Sequence, residues 1–134
     1  MIRLGVLGST KGTDLVAILD AINNKSLAAE VSVVISNREK AYILSRAKNH
    51  KVPSFFISHK DKTREEFDGE VTARLKQYNV QLVLLIGFMR ILSPEFCLAW
   101  HDRVLNVHPS LLPKYAGGMD MNVHEEVLKN GDHE

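Results

Sequence analysis

Five apolar residues in a row, Leu82 to Ile86, constrain this chain more than any other feature. A strand with one wet face alternates apolar and polar residues. A strand that is apolar throughout is covered on both faces, as in a parallel sheet flanked by helices. Gly87 ends the run. Ile2 to Leu7, Val31 to Ile35, Pro53 to Ile57 and Val104 to Val107 read as further strands. Between them the apolar spacing turns helical. Leu15, Ile18, Leu19 and Ile22 mark a helix over 15–22, and Ile43, Leu44 and Ala47 one over 41–48. Phe67, Val71, Leu75 and Tyr78 form a stripe over 64–78. Ser93-Pro94-Glu95 reads as a helix start, because serine caps well and proline at the first position loses no needed N–H. A short helix then runs to about Trp100. Strand and helix alternating four times predicts an α/β fold, a doubly wound, mostly parallel sheet with helices on both faces. A last helical pattern covers 122–129.

Composition narrows the function classes. At 134 residues a single domain is expected, and 45% hydrophobic with 25% charged residues is ordinary for a globular protein. A net charge of +1 gives no electrostatic reason to bind nucleic acid or membrane. No apolar run approaches the length of a membrane span. Met1 to Thr10 reads as a strand rather than a signal peptide, so the cytoplasm is the expected location. The one cysteine, Cys97, lies between Phe96 and Leu98 and is expected to be buried and inert. The six histidines show no metal-ligand spacing, so no metal is expected.

Parallel sheets bind ligands beyond the carboxyl ends of their strands. Three loops fall there: 8–14, 87–92 and 106–113. The first joins a strand to a helix N-terminus, where backbone N–H groups and the helix dipole favour an anion. It is neither GxGxxG nor a P-loop, so a dinucleotide or nucleoside triphosphate is poorly supported. The alternative is a plain turn with Thr13 or Asp14 as N-cap. In the third loop Asn106 and His108 stand two positions apart at a strand end, which puts both on one face. An amide can donate to a developing oxyanion, and an imidazole can move a proton near neutral pH. The alternative is that both satisfy turn backbone near Pro109 and Pro113.

The longer string, Asn106-Val107-His108-Pro109-Ser110-Leu111-Leu112-Pro113, resembles the signature of the folate-dependent formyltransferases. Gly87-Phe88-Met89-Arg90-Ile91-Leu92-Ser93 is similar to the folate-binding segment of the branch that formylates phosphoribosylglycinamide in purine synthesis. The resemblance runs from residue 1 to 134 without a large gap. It implies a Rossmann-like formyltransferase fold, and transfer of a formyl group from the cosubstrate 10-formyltetrahydrofolate to the amine of phosphoribosylglycinamide. No metal and no covalent enzyme intermediate are implied.

By the same resemblance Asn106 and protonated His108 are catalytic. Gly12, Thr13 and Asp14 meet the substrate phosphate, and Arg64, Met89, Arg90, Ile91, Leu92 and Asn106 meet folate. Gly117 and Gly118 lie in a loop flanking the glycinamide. The family often carries Gly-Ser-Asn at the phosphate loop. Thr13 keeps the hydroxyl, but Asp14 puts a carboxylate near a phosphate, which repels unless it turns away to cap the helix or Lys11 compensates. The family's catalytic aspartate, which holds the histidine, matches no position here. The chain is therefore expected to be the N-terminal part of the family domain, roughly two thirds, with a fold incomplete at the C-terminus and inactive alone. Three rival readings are a formyltetrahydrofolate hydrolase, a methionyl-tRNA formyltransferase, and a non-catalytic domain that binds a phosphorylated ligand.

Overall fold

The apolar runs become the strands of one sheet in the computed structural model, which describes residues 1–88 and 92–107. In chain order the elements are β1 Ile2–Gly8, α1 Thr13–Asn23, β2 Ala29–Ser36, α2 Tyr42–Asn49, β3 Ser54–Phe56, α3 Arg64–Gln77, β4 Leu82–Ile86, α4 Pro94–Ala99 and β5 Val104–Asn106. The expected helix over 122–129 lies outside the described residues.

The five strands lie in the order β3-β2-β1-β4-β5. Every neighbouring pair is parallel. The chain moves outward from β1 through β2 to β3. It then returns to place β4 on the other side of β1, and β5 beyond that. This reversal sends the helices to opposite faces. Leu15, Ile18, Ile43, Leu44 and Ala47 of α1 and α2 cover one face, against Leu4, Val6, Val34, Leu84 and Ile86. Phe67, Val71 and Leu75 of α3 and Phe96 of α4 cover the other, with Trp100, against Leu7, Val33, Ile35, Val83 and Val104. Alternate residues of β4 thus enter different cores, which is why the run tolerates no polar residue. Each such side chain contributes roughly 1.5–3 kcal/mol by its burial.

Two helices carry the caps their sequences suggest. Thr63 and Glu66 form a capping box on α3: Glu66 N–H donates to Thr63 Oγ1 (3.0 Å), and Thr63 N–H donates to Glu66 Oε1 (2.9 Å). Ser93 Oγ accepts from Phe96 N–H (3.1 Å) at the start of α4, with Pro94 at its first position.

Cys97 departs from expectation. It is half-buried rather than buried, and the neighbouring Leu98 is 75% exposed. A six-residue helix turns only one stripe inward, here Phe96 with Trp100 four positions on. Neighbours in sequence point about 100° apart around a helix, so apolar flanks do not bury the residue between them. Trp100 is fixed by its indole N–H, which donates to Thr72 Oγ1 (3.2 Å).

Candidate functional site

The carboxyl edge between β1 and β4 is where the connections part. The chain leaving β1 goes to α1 on one face, and the chain leaving β4 goes to α4 on the other. Such a switch point opens a crevice for a ligand. Its floor is tied together at three strand ends. Ser9 N–H donates to the Gly87 carbonyl (3.2 Å), joining the ends of β1 and β4. The buried Ser9 hydroxyl donates to Asn37 Oδ1 (2.6 Å), joining them to the end of β2. Gly87 has φ of 59°, and a Cβ there would lie 2.5 Å from Thr10 Oγ1, so the two loops touch at a point that admits no side chain.

On the α1/α2 side stands the first loop. Gly12 is the N-cap of α1, with φ 73° and ψ 28°, and as a glycine it offers no side chain to cap the helix. The alternative of Thr13 or Asp14 at the N-cap position does not hold, because both residues belong to the helix. The physical reason is close packing. A Cβ at Gly12 would lie within 2.5–2.9 Å of Ile43 atoms, the Ile43 Cα among them. Only glycine combines that approach with a left-handed φ at no steric cost. Helix α2 holds the loop from behind: Ile43 N–H donates to the Thr10 carbonyl (3.1 Å), and Arg46 Nε donates to the Lys11 carbonyl (2.7 Å). Thr13 is exposed and Asp14 half-buried. Beside the loop a groove lined by Ser9, Thr10, Lys11 and 38–42 carries Lys11, Arg38 and Lys40 against the single carboxylate of Glu39. This side can hold an anion through a helix N-terminus and a positive rim.

On the α3/α4 side stands Asn106, the last residue of β5, opposite Leu85 of β4 in the ladder. It is half-buried and shares its strand face with Val104, which enters the α3/α4 core. Leu92 and Phe88 are half-buried and pack on that same core. Arg64 is exposed at the first position of α3, whose N-terminus lies at the carboxyl edge. His108, Met89, Arg90 and Ile91 lie outside the described residues, as do Gly117 and Gly118. The described candidates thus share one edge but divide between two sides: Gly12, Thr13 and Asp14 on one, Arg64, Leu92 and Asn106 on the other. Among the described residues no group of three His, Cys, Asp or Glu side chains could hold a metal ion. No helix among them is long and apolar enough to cross a membrane.

One charged residue here was not singled out from the sequence. Asp68 is only 3% exposed, and its Oδ2 accepts the Ser93 N–H at 2.6 Å. A signal was present: Asp68 stands three and seven positions before Val71 and Leu75, on the apolar stripe of α3.

Comparison with known proteins agrees with this architecture. A family model described as formyl transferase matches residues 2–134. The phosphoribosylglycinamide formyltransferase of Haemophilus influenzae is 38% identical over 135 residues, covering 100% of this chain and 62% of that protein. The trifunctional purine biosynthetic protein adenosine-3 of Drosophila pseudoobscura pseudoobscura is 44% identical over 135 residues, covering 98% of this chain and 10% of that protein. The crystal structure of glycinamide ribonucleotide transformylase 1 from Symbiobacterium toebii superposes with a TM-score of 0.77 at 39% identity, covering 98% of this chain and 61% of that one. The chain thus spans less than two thirds of the length of each of these proteins. With the doubly wound parallel sheet, the switch-point crevice and a family match along nearly its whole length, the chain belongs to the formyl transferase family.

Proposed function

We propose that the chain serves formyl transfer from 10-formyltetrahydrofolate to the amine of phosphoribosylglycinamide, a cytoplasmic step of purine synthesis. The observation that carries this reading is the placement of Asn106. It ends a strand beside the switch-point crevice, on the opposite side from a glycine-capped helix N-terminus suited to a phosphate. A substrate with a phosphate at one end and an amine at the other spans those two features. The names of the relatives favour phosphoribosylglycinamide over the hydrolase and tRNA readings.

In the proposed reaction the amine nitrogen attacks the formyl carbon and the carbonyl oxygen becomes an oxyanion. The Asn106 amide and protonated His108 donate to it. The carbon–nitrogen bond to folate then breaks. The proton lost by the attacking amine passes to the departing folate nitrogen, with His108 as carrier. Gly12, Thr13 and Asp14 hold the phosphate through backbone N–H groups. Arg64, the 89–92 segment and Asn106 face the folate, and no metal takes part. Residues 1–134 contain no match to the family's aspartate. We therefore expect residues 1–134 by themselves to bind substrates and turn over feebly.

Calorimetric titration tests this. The chain is expected to bind phosphoribosylglycinamide and 10-formyltetrahydrofolate separately. Asp14→Asn should tighten the phosphorylated substrate by several-fold, since a neutral amide replaces a carboxylate near the phosphate. A chain that binds the phosphorylated substrate but ignores folate is a phosphate-binding domain, and the formyl-transfer reading fails. Turnover by residues 1–134 at a rate ordinary for an enzyme, about 1–10³ s⁻¹, would show that Asp120 or Asp132 replaces the missing carboxylate.

A further inference from the structure

Two consecutive residues of α3 hold the chain on either side of the proposed folate segment. Phe67 stacks with Phe88, ring centroids 6.5 Å apart and planes 17° apart. Asp68 Oδ2 accepts the N–H of Ser93 at 2.6 Å. Phe88 immediately precedes residues 89–91, and Ser93 follows Leu92. We propose that Asp68 is a positioning residue for folate, holding Ser93, and Leu92 before it, at the start of α4. This rests on the reading that 89–92 meets the cosubstrate.

Asp68 is 3% exposed and Ser93 is fully buried. A carboxylate in an apolar layer is expensive unless it is hydrogen-bonded, and a helix surface has cheaper ways to fill that position. Its bond to Ser93 is short (2.6 Å), and a hydrogen bond to an ionised carboxylate is roughly twice as strong as a neutral one. Its donor is also informative. Ser93 is the N-cap of α4, with extended backbone (φ −72°, ψ 158°), and its own N–H has no carbonyl to meet within the helix. Without Asp68 that N–H is buried and unsatisfied. Ser93 would then move toward solvent, taking Leu92 with it. The other end of the segment is fixed independently, where the Gly87 carbonyl accepts the Ser9 N–H (3.2 Å). Loss of Asp68 therefore releases Ser93 and Leu92 at the start of α4, and the effect should reach folate but not the phosphate loop on the other face.

The experiment compares Asp68→Ala with Asp68→Asn, whose amide oxygen still accepts from Ser93. Asp68→Ser, with a hydroxyl one bond too short, serves where the alanine variant does not fold. Two readouts are taken on the chain: the exchange rate of the Ser93 amide hydrogen, and the Kd values for 10-formyltetrahydrofolate and phosphoribosylglycinamide. In the alanine or serine variant, Ser93 exchange should rise about tenfold or more and the folate Kd about tenfold, with the phosphoribosylglycinamide Kd unchanged. Asp68→Asn should keep both within about threefold of wild type. Wild-type exchange and folate affinity in the alanine or serine variant overturn the inference. So does parallel weakening for both ligands, the mark of a residue that merely stabilises the fold. A wild-type chain that ignores folate overturns the formyl-transfer reading instead. The two failures are distinguishable because Ser93 exchange is measured without folate.

Discussion

The two sides of the crevice are built on opposite principles. The side proposed to take the phosphate is made of backbone. Its N-cap is a glycine, its supporting bonds run to the carbonyls of Thr10 and Lys11, and its packing partner is the apolar Ile43. The side proposed to take folate is made of side chains: a buried carboxylate, two stacked phenylalanines, a capping serine and the amide of Asn106. Backbone sites tolerate changes in side chain wherever the turn survives, which accommodates Thr13 and Asp14 in place of the family's usual serine and asparagine. They fail abruptly where the turn does not survive. Side-chain sites degrade residue by residue.

That contrast can be broken at Asn106 first, where the largest effect is expected. In a form of the protein that turns over, Asn106→Ala should lower kcat by about 10²–10³-fold, the range for losing one oxyanion donor. Affinity for phosphoribosylglycinamide should hardly change if the phosphate is held on the other side, as proposed. Steady-state kinetics and a titration on the same preparation check both halves. Near-wild-type kcat would remove Asn106 from the chemistry.

Gly12→Ala comes next and addresses the backbone side. The left-handed conformation costs an L-residue roughly 1–2 kcal/mol, and the contact with Ile43 adds about 1–3 kcal/mol of overpacking. Chemical denaturation should show destabilisation within that combined range. Phosphoribosylglycinamide binding should fall by more than folate binding does. Equal losses for both ligands would mean that the two sides are not independent.

How much of this was legible in the sequence follows from the range of each interaction. β4 coincides with its apolar run because burial on both faces writes itself into every residue. The place of Asn106 at a strand end was legible because the end of an apolar run is a local fact. The cap at Gly12 was not. Thr13 and Asp14 are better caps by type, and what overrides them is contact with Ile43, on a different helix. Asp68 escaped for the same reason, since its partner lies 25 residues further on. A carboxylate on an apolar stripe says that a partner exists, not which one. The apolar flanks of Cys97 do not report its surroundings, because neighbours in sequence point to different sides of a helix.

The smallest expected effect sharpens the comparison through pH. The Glu66 carboxyl is held below its ordinary 4.5, first by the Thr63 backbone N–H, then by the Thr63 side chain, with a smaller contribution from Lys62 and an opposing one from desolvation. A carboxyl whose pKa is lower in the folded state binds its proton less readily than in the unfolded chain. Its contribution to stability is therefore complete above the unfolded value, and is lost as pH falls through 4.5 and on through the depressed folded value. Glu66→Gln keeps an acceptor for the Thr63 N–H but removes the titration. The stability difference between wild type and this variant should be constant at neutral pH and shrink below about pH 4.5, as measured by denaturant unfolding across that interval. Glu66 caps the helix that carries Arg64 and Asp68, so any ligand effect of Glu66→Gln should appear in folate binding alone. A pH-independent difference would mean that the capping box acts through geometry rather than charge. A change in phosphoribosylglycinamide affinity would mean that the two sides of the crevice are coupled through the sheet.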